Sequence, residues 1–293
     1  MTITAPTLFV ATVPDMANRF VTDTSVDAQG GGRYLGRIDP GWWIERGPNG
    51  GYVAALILRA VTAEVGDPDR RLRSFTVHYL APPHEGEAEV AVTVERQGRS
   101  LTSVSARLSQ DGVLLAIAVG AFSISRPSLE FRDLVMPTVA APEDLPVLAP
   151  MPGPVLRQRY EQRWAVGPRP FSGGDVALAG GWIRLARDEA GPDPDPSATG
   201  TAGDALVDQH LLVAFADAWM PPVFGRLAQP AAVPTIDLTV HPRDPIPAGY
   251  DDWVLVVFRT SVASDGFIEE DGELWTRDGS LLAQSRQLAL ALV

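Results

Sequence analysis

One pattern, an apolar helix followed by four strand-like runs, occurs twice in these 293 residues, and few folds accommodate such a duplication. In the first copy, Asn49-Gly50-Gly51-Tyr52 leads into residues 53–65, where Val53, Leu56, Ile57, Ala60 and Val61 recur at helical spacing. Asn49 is a good N-cap and Gly66-Asp67-Pro68 ends the helix. The helix is apolar nearly all round, which predicts burial. Residues 74–80, 88–96, 100–109 and 113–124 read as strands, with Gln97-Gly98 and Asp111-Gly112 as hairpin turns and an earlier strand within Arg33–Ile38. The second copy has a helix at 205–220, stopped by Pro221-Pro222, and strands at 235–241, 253–260, 267–276 and 281–290. Local parallels support the repeat. Thr76-Val77-His78 answers Thr239-Val240-His241, and Asp111-Gly112 answers Asp278-Gly279. A helix with a four-strand antiparallel meander, duplicated, predicts an α+β architecture.

The repeat divides the chain into an N-terminal unit (1–126), a proline-rich linker (127–156, with Pro142, Pro146, Pro150, Pro152 and Pro154) and a C-terminal unit (157–293). A low-complexity segment at 190–203 reads as a mobile loop.

Composition narrows the chemistry. With no cysteine, disulfides, thiolate catalysis and cysteine-ligated zinc are excluded. All 24 basic residues are arginine, which excludes a Schiff-base lysine and a P-loop lysine. A net charge of −12 disfavours nucleic acid and anionic membranes as partners. No apolar run is long enough to span a membrane. The apolar start, 1–13, lacks a basic n-region and an early cleavage site. It is expected to be mature chain, and the protein cytoplasmic. His78, His84, His210 and His241 fall in no metal-binding pattern, and His78 and His241, at equivalent places in the repeat, are expected to be structural. GxSxG, GxGxxG and GxxxxGK[ST] are all missing, which weighs against serine-hydrolase, dinucleotide and NTPase chemistry.

Asp217 is the anomaly. It is the one acid in the apolar end of the second helix, where both the helix dipole and burial would raise its pKa. Thr235 opens the following strand. Gln287 shares, by alternation, a face of apolar and small residues in the last strand with Leu281, Ala283, Ser285 and Ala289. Aligning the copies sets Ala54 opposite Asp217, Leu72 opposite Thr235 and Gly120 opposite Gln287. A requirement of the fold would show in both copies, whereas a functional site need survive in one.

The chain resembles the double-hotdog acyl-CoA thioesterases, the family of acyl-CoA thioesterase II. In the first half the resemblance rests on Asn49-Gly50-Gly51, Leu72-Arg73-Ser74-Phe75, Leu80-Ala81-Pro82 and Gln97-Gly98-Arg99-Ser100-Leu101. In the second it rests on residues 211–217, Thr235-Ile236-Asp237 and residues 281–287. It implies two hotdogs side by side, each an antiparallel sheet wrapped around a central helix. It also implies hydrolysis of a fatty acyl-CoA without a cofactor or metal, with Asp217, Thr235 and Gln287 holding the attacking water. Assembly into a homo-oligomer is expected of this fold.

Oxyanion donors are expected at the start of the first helix (Gly50, Gly51, Tyr52), where unpaired N–H groups gather. Arg73, Arg96 and Arg99 are candidates for the CoA phosphates. Trp42, Trp43 and Tyr52 are candidates to line an acyl slot between the helices. The alternative is a double hotdog that binds acyl-CoA or a lipid-like ligand without turnover. A hydratase or dehydratase ranks last, because the usual Asp/His signature is missing.

Overall fold

The computed structural model of the protein describes residues 19–45, 47–148, 155–186 and 207–292. The N-terminal half contains α1 (Arg19–Asp23), β1 (Val26–Gly30), β2 (Arg33–Ile38), α2 (Gly50–Val65), β3 (Arg71–Tyr79), β4 (Gly86–Gln97), β5 (Leu101–Gln110) and β6 (Val113–Ser123). The C-terminal half contains β7 (Tyr160–Val166), β8 (Leu178–Leu185), α3 (Gln209–Phe215), β9 (Thr235–Pro242), β10 (Val254–Arg259), β11 (Ala263–Ser264), β12 (Phe267–Thr276) and β13 (Leu281–Leu290).

The strands form one antiparallel sheet in the order β1-β2-β4-β5-β6-β3-β9-β13-β12-β10-β8-β7, with β11 on β12. Read outward from the β3–β9 junction, both directions give the same succession, so the duplication is also a pseudo-two-fold. It crosses the sheet where Thr76 pairs with Thr239, their hydroxyls 2.9 Å apart. The repeated Thr-Val-His triplet is therefore the seam between the halves.

Two expectations are corrected. Each four-strand run is not a simple meander, because its first strand joins its last (β3 on β6, β9 on β13) and three strands form the meander. The second helix is shorter than 205–220. Among the described residues it spans Gln209–Phe215 and gives way to a tight turn, with Asp217 N–H bonded to Ala214 O. Strands β7 and β8 were not read from the sequence, and in β8 Gly180-Gly181 interrupts the pattern. Those glycines are needed where a Cβ would lie 2.2 Å from Val256 O and 1.9 Å from Arg163 O. The segment at 190–203 lies outside the described residues.

Helix α2 forms as its sequence dictates. Asn49 Oδ1 accepts from Tyr52 N at 3.0 Å, and Gly66 closes the C-terminus in the left-handed region at φ 60°. It lies against β1 to β5, packs on α3, and is buried almost throughout from Gly51 to Val61. One continuous core joins α2, α3 and the inner face of the whole sheet. A second cluster (Trp182, Trp253, Leu255, Val257, Trp275) occupies the outer face of the C-terminal half. The described part of the proline-rich segment covers it: Met136, Val139 and Leu145 pack there, and Ala140 O accepts from Trp182 Nε1 at 2.9 Å.

Tyr52 anchors α2 to the N-terminal strands. It stacks on Trp42 at 5.2 Å. Its hydroxyl donates to Asp23 O (2.8 Å) and Arg37 O (3.0 Å) and accepts from Asp39 N (3.1 Å). Tyr52→Phe leaves these part-buried backbone groups short of a partner and is expected to lower stability by about 1–3 kcal/mol. Urea denaturation measures this, and an unchanged midpoint would count against the hydroxyl as an anchor.

Candidate active site

The start of α2 meets the turn after α3, so the two halves of the chain build the site together. Asp217 Oδ2 accepts from Gly51 N at 2.8 Å and from Asn49 Nδ2 at 2.9 Å. Asn49 Nδ2 also donates to Asp217 O at 2.7 Å, so one side chain caps its own helix and grips the opposing turn. The approach is close enough to require glycine. A Cβ on Gly51 would lie 2.6 Å from Ala214 O, and one on Gly50 2.9 Å from Asp217 Oδ2. Tyr79, at the end of β3, donates its hydroxyl to Gly50 O at 2.8 Å.

The sheet supplies the other wall. Thr235 Oγ1 donates to Gln287 Oε1 at 3.0 Å. Gln287 Nε2 donates to Ala216 O at 3.3 Å and to Glu270 Oε1 at 3.1 Å. Burial pushes the Asp217 carboxyl up to about 6, although N–H groups from Gly51, Gln287, Asn49 and Gly50 pull it down. It thus sits near neutrality, where a general base is most effective. Burial, with the charges of Asp217 and Asp237, holds the Tyr79 phenol well above its ordinary range, so it stays a neutral donor.

Asp217, Thr235, Gln287, Gly50 and Gly51 therefore converge. The remaining candidates do not. The amides of Gly51 and Tyr52 are not free, because Gly51 N is taken by Asp217 and Tyr52 N by Asn49 Oδ1. The start of α2 holds the catalytic candidate itself instead of an empty oxyanion hole. Tyr52 and Trp42 belong to the core, and α2 touches α3 backbone to backbone at Gly51, which closes the expected acyl slot at that point. Arg73 lies six residues before Tyr79 on β3, about 20 Å away. Arg96 and Arg99 are exposed near the hairpin at the same remote end, where Ser123 pairs with both Arg71 and Leu101.

Sequence reasoning missed Asn49 as a site residue, and missed Tyr79 and Glu270. The two copies differ at the last two positions. Tyr79 answers Pro242 three residues past the Thr anchors. Glu270 pairs with Gln287 as Val104 pairs with Gly120.

His210 bonds Asp208 Oδ2 (2.8 Å) and Thr62 Oγ1 (3.3 Å), tying the start of α3 to the end of α2. Among the described residues no group of three His, Asp or Glu is placed to hold a metal, and no helix is long and apolar enough to cross a membrane.

Residues 136–291 match the family described as acyl-CoA thioesterase C-terminal domain, and residues 39–124 match its N-terminal domain. The chain belongs to the acyl-CoA thioesterase family. No curated protein sequence matches it. Among solved structures, a conserved protein of unknown function with a hot dog fold from Alicyclobacillus acidocaldarius superimposes with a TM-score of 0.80 at 26% identity, covering 95% of this chain and 99% of that one. A candidate thioesterase II from Thermobifida fusca gives 0.78 at 26%, covering 96% and 99%. An acyl-CoA thioesterase II from Mycobacterium marinum gives 0.71 at 21%, covering 93% and 97%, a likeness of fold. The protein is a double-hotdog thioester hydrolase.

Proposed function

We propose that this thioesterase hydrolyses a fatty acyl-CoA to the free acid and CoA, using a water held by Asp217, Thr235 and Gln287. The observation that carries this reading is the Asp217 carboxylate. It is poised near neutral pH beside a carboxamide that is itself oriented by Thr235. Oδ2 is held by the start of α2, which fixes the carboxylate's direction. The carboxylate takes a proton from water as the oxygen attacks the thioester carbonyl. The tetrahedral intermediate then expels the CoA sulfur. The α2 amides and Asn49 stabilise the ionised form of Asp217, so the helix start acts on the base.

Free-thiol release from acyl-CoAs of short to long chain tests the reading, with turnover expected on part of the series. Since the base must be ionised, kcat/KM should rise with pH through about 6, the value set by burial of Asp217. An acid limb near an ordinary carboxylate value would remove Asp217 from the base role. Absence of turnover on every chain length would overturn the acyl-CoA assignment.

A further inference from the structure

We propose that Glu270 is the proton donor of this site, the acid that delivers hydrogen to the departing thiol sulfur while Asp217 acts as base. The inference rests on the acyl-CoA reading above.

Glu270 lies in β12 directly opposite Gln287 of β13, and its Oε1 accepts from Gln287 Nε2 at 3.1 Å. That carboxamide also borders Asp217, so two carboxyls flank one amide. Three consecutive acids occupy this stretch of β12, and their surroundings differ. Arg286 approaches Glu269 (3.9 Å) and Asp271 (3.1 Å). Among the described residues no cation pairs with Glu270. The equivalent position in the first copy is the buried Val104, paired with Gly120, so the fold itself has no use for an acid here.

The charges that act directly on Glu270 are negative, and Arg286 is engaged by its neighbours Glu269 and Asp271. Glu269 and Asp271 flank Glu270 on its own strand, Asp217 faces it from the turn after α3, Tyr79 of β3 and Tyr160 of β7 feel the charge of Asp217, and Asp237 of β9 acts on Tyr79. Burial and these charges push Glu270 well above the usual carboxylate range, against the opposing pull of the Gln287 N–H. Two carboxyls whose environments separate them in this way are suited to opposite roles.

The step balances. Asp217 takes one proton from water as the C–O bond forms. The C–S bond then breaks with its electron pair going to sulfur, and the Glu270 proton goes to that sulfur. Asp217 is left protonated and Glu270 ionised, and transfer of a proton from the first to the second restores the site.

The test compares Glu270→Gln with wild type on an acyl-CoA and on an aryl thioester of the same acid. An aryl thiolate leaves without protonation. Glu270→Gln should lower kcat on the acyl-CoA about 10-fold, less than the ~10²–10⁴ usual for acid–base groups because a thiolate is a fair leaving group. Turnover of the aryl thioester should be unchanged. Equal rates on both substrates, or equal losses on both, would overturn the proposal. A second arm needs no turnover: ¹³C NMR of the wild-type side-chain carboxyls, assigned with Glu270→Gln and Asp217→Asn, should show Glu270 protonated and Asp217 ionised at pH 7.5. An ionised Glu270 overturns the proposal even if no acyl-CoA is hydrolysed, an outcome that would itself refute only the substrate reading.

Discussion

Asp217→Asn is expected to keep its fold and lose about 10³-fold in kcat on any acyl-CoA the wild type accepts, within the range for removal of a general base. The variant retains an oxygen that can accept from Gly51 N and Asn49 Nδ2, so the grip between the halves survives. What it loses is basicity. Stability should not fall. A carboxyl raised from 3.8 to about 6 in the folded protein costs stability as pH rises from about 4 through about 6, a cost of roughly 3 kcal/mol in full. The neutral amide escapes that cost, so at pH 7.5 the variant should unfold no earlier than wild type. Steady-state thiol release and thermal unfolding on the same preparation check both halves of the claim. A folded variant with wild-type turnover would remove Asp217 from the mechanism.

Gly51→Ala should be the next most damaging change, and through geometry alone. Alanine is the better helix former, worth about 1 kcal/mol at an ordinary helical position. Here the added Cβ would lie 2.6 Å from Ala214 O and 3.0 Å from Asp217 Cβ. The first of these is backbone of α3, which cannot swing aside. Overpacking of this kind costs about 1–3 kcal/mol, so the net change is destabilising. The forced separation also moves Asp217 from the amide that fixes it, and displacement by about 1 Å can cost 10²-fold in rate. Gly50→Ala serves as a comparison, since its new methyl meets side-chain atoms of Asp217 and Tyr79. A Gly51→Ala protein with wild-type melting temperature and turnover would show that the helices are free to part.

Much of this was legible in the residues. The strands at Phe267–Thr276 and Leu281–Leu290 follow from alternation closed by Asp278-Gly279. The extent of α2 follows from Asn49 and Gly66. Asp217, Thr235 and Gln287 stood out because the first copy has Ala54, Leu72 and Gly120 in their places. The correction at the start of α2 has a physical cause. The amides of Gly51 and Tyr52 were expected to be free because a helix start in isolation leaves them so. Their partners are an aspartate 166 residues away and the helix's own cap. The arginines were chosen for lying near strand ends, and the folded sheet sets Arg73 about 20 Å along β3 from Tyr79.

The sequence by itself determined the duplication, the buried helix and its caps, and the polar residues that appear in a single copy, since each of these is written in local spacing and composition. Tertiary structure decided what Asp217 touches, that Glu270 joins it, and that Arg73, Arg96 and Arg99 do not. Those outcomes depend on the pairing of β3 with β9 and of β12 with β13, and on the close approach of α2 to the turn after α3. Local periodicity places a residue on a face of its own element. The position of that face against another element, far along the chain, is set by the packing of the whole core.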